Sequence, residues 1–275
     1  MKQHYIIMSS SYTNGTRIAM DITDESKLNL EYITDLIQKI KSECGADVSL
    51  STHSILADSE SWESVLKSDK FFEDVKVIND IGTFIGEIKK DRTLKGIDIA
   101  RYILSKIPCT HLKLEKLVYF CFADYLCEKK KKLFDDTIYA FKYGPVVLSV
   151  YKTYKKYGGE PIVGLGDYPT IEEVEKEIKE VDEDSGEIVD SEEFGKQTEL
   201  ESPQRSRILF AEEGISKLTC IDSTIEKYKA FTASQLVKIT HKKDTPWDKT
   251  DKNEFYSEIS DETILKYHCN EGLKE

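Results

Sequence analysis

The strongest constraint on the fold is residues 111–131, where apolar side chains recur at helical spacing. They follow the i, i+3, i+4, i+7 pattern of one helix face, at Leu114, Leu117, Val118, Cys121, Phe122, Tyr125 and Leu126. Such a helix draws most of its stability from elements packed along its apolar face. The stretch therefore predicts a long helix at the centre of a mainly helical region.

The helical character extends from Ile97 to the end of the chain. Apolar residues at 97–104 predict a helix that ends before Pro108, since proline disrupts a helix interior. Capping and periodicity predict further helices at 221–231, 234–241 and 260–268. No internal repeat is evident.

The first 95 residues read as a mixed α/β unit. The apolar run Tyr5–Met8 before Asn-Gly predicts a strand and a turn, and the periodicity at 27–43 predicts a helix ended by Gly45. A second strand is predicted at 47–56, a short helix start after Ser59, and an unresolved mixture at 75–88. The expected fold class is α+β, with an N-terminal α/β domain at 1–95 and a mostly helical domain with minor β structure at 97–270.

Residues 138–157 combine aromatic alternation with a Gly-Pro step. Tyr139, Phe141 and Tyr143 alternate as in a short extended segment. Gly144 predicts a turn, and Pro145 suits the first turn of a new helix, because its missing N–H is unneeded there. That helix is predicted to run to Tyr157, before Gly158-Gly159.

Negative charge is concentrated at 161–203. This segment holds fifteen acidic residues against three lysines, so its net charge equals the −12 of the whole chain. We expect an acidic insertion at about 165–203, with a mobile loop at 182–204. The net charge makes nucleic acid an unlikely partner, since like charges repel.

The composition predicts a soluble, cytoplasmic protein. No signal sequence and no stretch of transmembrane length is present, so no membrane partner is expected. The six cysteines, Cys44, Cys109, Cys121, Cys127, Cys220 and Cys269, lack metal-site spacing, and we interpret them as reduced. Neither a metal nor another cofactor is predicted.

Catalytic patterns are missing from the sequence. It contains no nucleophile elbow, zincin motif or phosphate-binding loop. Cys109 and His111 are close in sequence, but we interpret Thr110 as a helix cap and Cys109 as core filler. We expect no enzymatic activity.

Several segments have more than one interpretation. His241 and Trp247 form either an exposed contact site or a helix-end hydrogen bond beside a core anchor. Residues 141–146 form either a recognition loop or a tight joint between packed elements. Lysines 129–132 either form a nucleic-acid footprint, oppose a helix dipole, or face an acidic partner or the chain's own acidic segment.

Three ordered motifs give the chain a family resemblance. They are Leu112-Lys113-Leu114-Glu115-Lys116-Leu117-Val118-Tyr119-Phe120, then Leu133-Phe134-Asp135-Asp136 with Ala140-Phe141-Lys142-Tyr143-Gly144-Pro145-Val146 and Val150-Tyr151, and finally Leu236 with Thr240-His241 and Pro246-Trp247. Together they resemble the Panacea (SocA-like) antitoxin domain over about residues 97–268. The N-terminal unit and the acidic insertion are additions to that pattern.

The resemblance implies the antitoxin half of a bacterial or prophage toxin–antitoxin pair, which neutralises its toxin by direct binding. Alternatives are a proteolytic adaptor that delivers a toxin to a chaperone-protease, and a DNA-binding autorepressor. The N-terminal unit is expected to supply partner choice or dimerisation, which leaves homo-oligomers open.

The residues expected to contact the toxin combine tyrosine-rich composition with the family motifs. They are Lys142, Tyr143, Tyr151, His241 and Trp247. Backbone geometry is expected to require Gly144, Pro145 and Pro246 as structural residues.

Overall fold

The computed structural model describes residues 1–165, 201–251 and 256–271. Strands are concentrated in the N-terminal part and helices in the rest, which confirms the predicted α+β class. None of the helices in the described residues combines the length and apolar character that a membrane crossing requires. Most of the predicted acidic insertion, residues 166–200, lies outside the described residues.

The chain forms two compact units. The first consists of Met1–Thr93 with Phe210–Glu213, and the second of Leu94–Leu209 with Gly214–Glu275. The four-stranded sheet lies before the boundary between Thr93 and Leu94, and most of the helices lie after it.

The first unit is built on a four-stranded sheet. Its elements are β1 (Lys2–Ser11), β2 (Thr16–Ile22), α1 (Leu30–Cys44), β3 (Ser51–Ala57), α2 (Trp62–Ser68), β4 (Val75–Val77) and α3 (Ile81–Arg92). The strand order is β3-β1-β2-β4. Strand β1 pairs antiparallel with β2 and β3, so that Ile7 lies opposite Met20 and Thr52. Strand β4 is parallel to β2.

Both faces of this sheet are covered, which explains the continuous apolar run in β1. Ile7 and Met20 lie in one core with residues of α1 and α3, among them Ile33, Leu36, Ile40, Phe84 and Ile88. Ile6 and Met8 lie in another core with residues of α2 and the turn after it, among them Val65 and Phe72.

The sequence predicts most of this unit. Residues 5–8 lie in β1 and 27–43 largely in α1, which Gly45 follows with φ 100°. The predicted strand at 47–56 overlaps β3, and the unresolved 75–88 contains β4 and most of α3. The short helix begins at Trp62, later than expected from Ser59. Strand β2 is not predicted, because its sequence mixes Arg17 and Asp21 with apolar residues.

A buried carboxylate fixes the turn between β1 and β2. Asp91 of α3 is 3% exposed. It accepts hydrogen bonds from the Ser11 hydroxyl at 3.0 Å and from the backbone N–H groups of Tyr12 at 2.8 Å and Thr13 at 2.9 Å. A carboxylate with several donors satisfies a turn whose backbone has no strand partner.

The second unit surrounds one long helix. Its described elements are α4 (Gly96–Lys106), α5 (His111–Lys129), β5 (Ile138–Phe141), β6 (Gly144–Val147), α6 (Leu148–Tyr154), α7 (Glu201–Leu209), α8 (Gly214–Tyr228), α9 (Ala233–Thr240), α10 (Pro246–Lys249) and α11 (Asp261–Tyr267). Helix α5 contacts α4, α6, α8, α9, α11 and β6. The predicted central helix is confirmed.

Helix α5 is buried on more than its predicted apolar face. Glu115, Lys116 and Tyr119 lie outside the seven apolar positions, yet none is more than 1% exposed. Buried polar groups need hydrogen-bond partners. The hydrogen-bond partners of these side chains lie on other elements packed against α5.

The prediction that Pro145 begins a helix is wrong. Residues 144–147 form β6, which pairs antiparallel with β5 so that Pro145 lies opposite Ala140. The Ala140 N–H donates to the Ser257 carbonyl at 2.8 Å, away from β6. Directly opposite residues in an antiparallel pair share this orientation, so Pro145 loses no ladder hydrogen bond. Helix α6 begins only at Leu148.

The remaining helices follow the predictions with shifted ends. Helix α8 begins at Gly214 rather than Ile221, while Thr232 and Ser260 cap α9 and α11. The loop predicted at 182–204 is wrong at its end, because α7 begins at Glu201. Residues 182–200 of that loop lie outside the described residues.

All six cysteines are free thiols. Those at positions 44, 109, 121 and 220 are buried, Cys127 is half-buried and Cys269 is exposed.

Candidate partner-binding hairpin

The hairpin of β5 and β6, residues 138–147, brings most of the predicted contact residues together. Lys142 and Tyr143 form its two-residue tip, in which Lys142 is exposed and Tyr143 is half-buried. The Lys142 ammonium lies 5.3 Å from the centre of the Tyr143 ring. Gly144 follows with φ 108°, a conformation that favours glycine.

Gly144 also lies against the end of α9. A Cβ at this position would come within 2.8 Å of Thr240 Oγ1 and 3.2 Å of Lys116 Nζ. Since real Cβ atoms do not approach so closely, the close contact of the hairpin with α9 and α5 requires glycine. The expectation that backbone geometry selects Gly144 therefore has a geometric basis.

The turn from α9 to α10 is itself held by buried threonine. The Thr245 hydroxyl donates to the Thr240 carbonyl at 2.7 Å, and both residues are fully buried. Thr245 also caps α10, whose first residue is Pro246. A proline at this position needs no backbone donor. The turn thus gives His241 and Trp247 a fixed framework.

His241 and Trp247 bond the backbone of the hairpin. His241 Nε2 lies 3.1 Å from the Lys142 carbonyl oxygen, and its Nδ1 lies 2.8 Å from the Val237 carbonyl oxygen at the end of α9. Trp247 Nε1 donates to the Phe141 carbonyl at 2.8 Å. Their ring centres are 3.6 Å apart, and both side chains are half-buried. The two rings thus hold β5 of the hairpin next to its tip.

Helix α5 holds the other strand. The ammonium of the fully buried Lys116 donates to the Pro145 carbonyl at 2.8 Å, and Glu115 Oε2 accepts from the Val147 N–H at 3.3 Å. Lys116 is not among the predicted site residues. A lysine inside an apolar helical stretch, and inside the first family motif, is the signal that points to it.

Tyr151 lies inside the unit instead of on its surface. It is 5% exposed, and its ring centre lies 5.3 Å from each of the rings of His111 and Phe141. The structure therefore places it beneath the hairpin, while Lys142 and Tyr143 are at the tip. The exposed Lys242 and Lys243 follow His241 in the chain and add positive charge.

A second polar cluster ties the 3-10 turn His268–Glu271 to α5. His268 lies between two carboxylates, with Nε2 2.8 Å from Asp124 Oδ1 and Nδ1 2.6 Å from Glu271 Oε2. Tyr119 donates to Glu271 at 2.8 Å and Thr224 to Asp124 at 2.9 Å. This cluster is not predicted from the sequence, because its members are far apart in the chain.

The carboxylates determine the charge of His268. Burial alone lowers the pKa of this imidazole, but the hydrogen bonds and charges of Asp124 and Glu271 outweigh burial and raise the pKa to about 9. Burial works against the ionised form of Asp124 as well, yet its bond to His268 lowers its pKa. The pKa of Glu271 is raised by burial, which its bond to His268 only partly offsets.

The other chemically interesting residues are buried. Burial raises the pKa of the Cys109 thiol to about 12, so it remains protonated at neutral pH. His111 Nε2 lies 3.6 Å from Glu115 Oε1. No group of three or more His, Cys, Asp or Glu side chains in the described ranges is placed to hold a metal ion.

Together these contacts define a helical domain that holds a short hairpin from both sides. Residues 114–248, just under half of the chain, match the family model described as "Antitoxin SocA-like, Panacea domain". The second unit thus contains a segment similar to the Panacea domain, a family that suggests an antitoxin role. The match is narrower than the expected 97–268 and runs from α5 to α10. No curated protein and no solved structure matches the chain significantly.

Proposed function

We propose that this chain is an antitoxin that neutralises a toxin by direct binding, and that the hairpin tip is part of the contact surface. The supporting observation is the convergence of three Panacea motif segments on one hairpin. Lys116 and Trp247 each donate a hydrogen bond to a hairpin carbonyl, and His241 Nε2 lies 3.1 Å from a third. Their polar atoms serve the backbone, which leaves the tip as the part that faces outward.

A hairpin held in this way suits protein recognition. Ordering a loop on binding costs free energy, and a loop already held in place avoids much of that cost. Tyr143 offers a large ring with few rotatable bonds, a common property of residues that dominate interface energies. In this proposal His241 and Trp247 act mainly by positioning the tip, and Tyr151 supports it from beneath.

The charge near the tip indicates the kind of surface it meets. Lys142, Lys242 and Lys243 are exposed, so the toxin surface opposite them is expected to be acidic. Such complementarity accelerates association and weakens as salt is added.

The proposal includes no catalysis by this chain. The absence of a reactive thiol from the proposal is supported by Cys109, whose pKa of about 12 leaves very little thiolate at neutral pH. We interpret His268 as a structural cation, because its two ring nitrogens contact two buried or part-buried carboxylates.

The test is co-expression with the gene next to its own, followed by purification of the pair. We expect the neighbouring product to stop growth alone, and this chain to restore growth and co-purify with it. The Lys142→Glu, Tyr143→Ala double variant should raise the Kd of the complex at least about tenfold. Lys266→Glu makes the same charge change on exposed α11 and is the matched control.

One result would contradict direct neutralisation, and another would contradict the assignment of the hairpin tip to the contact surface. Restored growth that disappears when a cellular protease is deleted, without a stable complex, would favour the adaptor alternative. Equal Kd values for the tip variant and the Lys266→Glu control would remove the hairpin from the contact surface while leaving an antitoxin role intact.

A further inference from the structure

The outer edge of β3 in the first unit is an open sheet edge. Its inner edge pairs with β1 along all seven residues, Ser51–Ala57. Among the described residues, no backbone hydrogen bond reaches its other edge. Ser51, Thr52, Ser54 and Leu56 are exposed.

The sequence of β3 does nothing to protect this edge. Ser-Thr-His-Ser-Ile-Leu-Ala contains no charged residue, other than a titratable histidine, and no proline. Natural sheets usually protect an edge with lysine, proline, a bulge or a very short strand. The opposite edge of the same sheet shows such protection, since β4 has only three residues and the exposed Lys76 at its centre. The difference indicates that the β3 edge is covered in the working protein.

Apolar side chains next to β3 remain partly uncovered. Leu56 is 59% exposed and Phe71, in the turn after α2, is 48% exposed. Phe71 packs 5.3 Å from the His53 ring and 5.0 Å from the Phe72 ring. One of these residues lies on the strand and the other beside it, so a strand added here would find apolar surface near it.

We propose that β3 pairs antiparallel with β3 of a second copy of this chain, with Ser54 on the two-fold axis. This register is the one that pairs all seven residues of the strand. It also joins residues of matching orientation, Thr52 opposite Leu56 and His53 opposite Ile55. Because opposite residues of an antiparallel pair point to the same face, each face of one sheet continues into the same face of the other. The contact is isologous, as a two-fold dimer requires.

Charge supports a second copy as the occupant. A chain of net charge −12 repels its own copies, so self-association needs a contact where acidic groups do not face each other. In this register no acidic residue lies within the paired strand, and Asp58 is the first one beyond it. The uncharged strand is therefore suited to its own copy. This inference concerns the first unit and does not depend on toxin binding by the hairpin.

The test is sedimentation equilibrium of the full chain across the micromolar range. A seven-residue edge contact is small, so we expect a weak dimer with a Kd of about 10 µM. Ser54→Lys places two ammonium groups opposite each other on the axis and should raise Kd at least about tenfold. Ser54→Glu should act likewise, and an equimolar mixture of the two variants should form a heterodimer.

The control is Thr34→Lys, which adds the same charge on the exposed surface of α1 in the same unit. It should dimerise like the unchanged chain, and circular dichroism should show that all variants are folded. A chain that stays monomeric at about 100 µM, far above the expected Kd, overturns the proposal. So does a dimer that Ser54→Lys leaves intact, or a mixture of the Lys and Glu variants that stays monomeric.

Discussion

The two units of this chain use buried polar groups for different purposes. In the first unit Asp91 satisfies the turn between β1 and β2, and the buried His4 lies 2.8 Å from Asp21 on the neighbouring strand beside the apolar cores. In the second unit Lys116 and Glu115 project from the central helix onto the hairpin. The first unit also leaves one strand edge open, whereas in the second unit buried charged side chains hold a small hairpin in place.

The binding surfaces of the two units therefore differ in kind. An open edge binds through its backbone, so its side chains can be small and uncharged. A hairpin tip binds through its side chains, so its backbone has to be held from behind.

The largest effect is expected at Asp91. Asp91→Ala leaves the Tyr12 and Thr13 N–H groups without their acceptor, and we expect a loss of about 3–4 kcal/mol in the free energy of unfolding. Urea denaturation measures this loss. Asp91→Asn, which keeps one acceptor oxygen, should recover part of it. Loss of less than about 1 kcal/mol on Asp91→Ala, the net value of one ordinary hydrogen bond, would show that the turn does not depend on the carboxylate.

The next effect is a pH dependence in the second unit. The pKa of His268 rises from an ordinary 6.5 to about 9 in the folded chain. Its contribution is therefore fully present below pH 6.5 and is lost as pH rises through about 9. Asp124, Glu271, Tyr119 and Lys227 are the charged or titratable groups around it.

We expect about 2–3 kcal/mol of stability to be lost across this window. Urea midpoints measured between pH 6 and pH 9.5 give the change. His268→Gln removes the titrating group and should flatten the slope between pH 7 and pH 9. An equally steep slope in that variant would assign the pH dependence to other residues.

A smaller effect is expected from two matched glycine substitutions. Gly144→Ala places an alanine at a positive φ and brings its Cβ too close to Thr240. We therefore expect a loss of about 2 kcal/mol in the free energy of unfolding and weaker toxin binding. Gly86→Ala, in α3, meets no atom within 4 Å and should gain about 0.5–1 kcal/mol through helix propensity. Thermal denaturation distinguishes the two, and equal shifts in Tm would contradict the tight joint at Gly144.

The smallest effect is expected from Trp247→Phe. This change keeps an aromatic ring beside His241 but removes the N–H that bonds the Phe141 carbonyl, at a cost of about 1 kcal/mol. If Trp247 positions the hairpin, the variant should also weaken toxin binding modestly. Calorimetric titration with the toxin measures the change, and a loss as large as that of the tip variant would make Trp247 a contact residue itself.

The elements predicted from sequence are those that local rules specify. Helix α5 follows from the spacing of seven apolar residues, and the ends of α1 and α11 follow from Gly45 and Ser260. Strand β2 and the strand character of Gly144-Pro145 were missed because their partners determine them. Pro145 is compatible with a helix start and with an outward-facing strand position, and only Ala140 across the hairpin decides between them.

The candidate site divides in the same way. The sequence by itself places Lys142, Tyr143, His241 and Trp247 in motifs and requires a small residue near the Gly-Pro step. Only the tertiary structure buries Tyr151, turns Lys116 toward the Pro145 carbonyl and gathers Asp124, His268 and Glu271 into one cluster. The physical reason is that periodicity and caps act over a few residues, while burial and charge pairing depend on groups that folding brings together from distant parts of the chain.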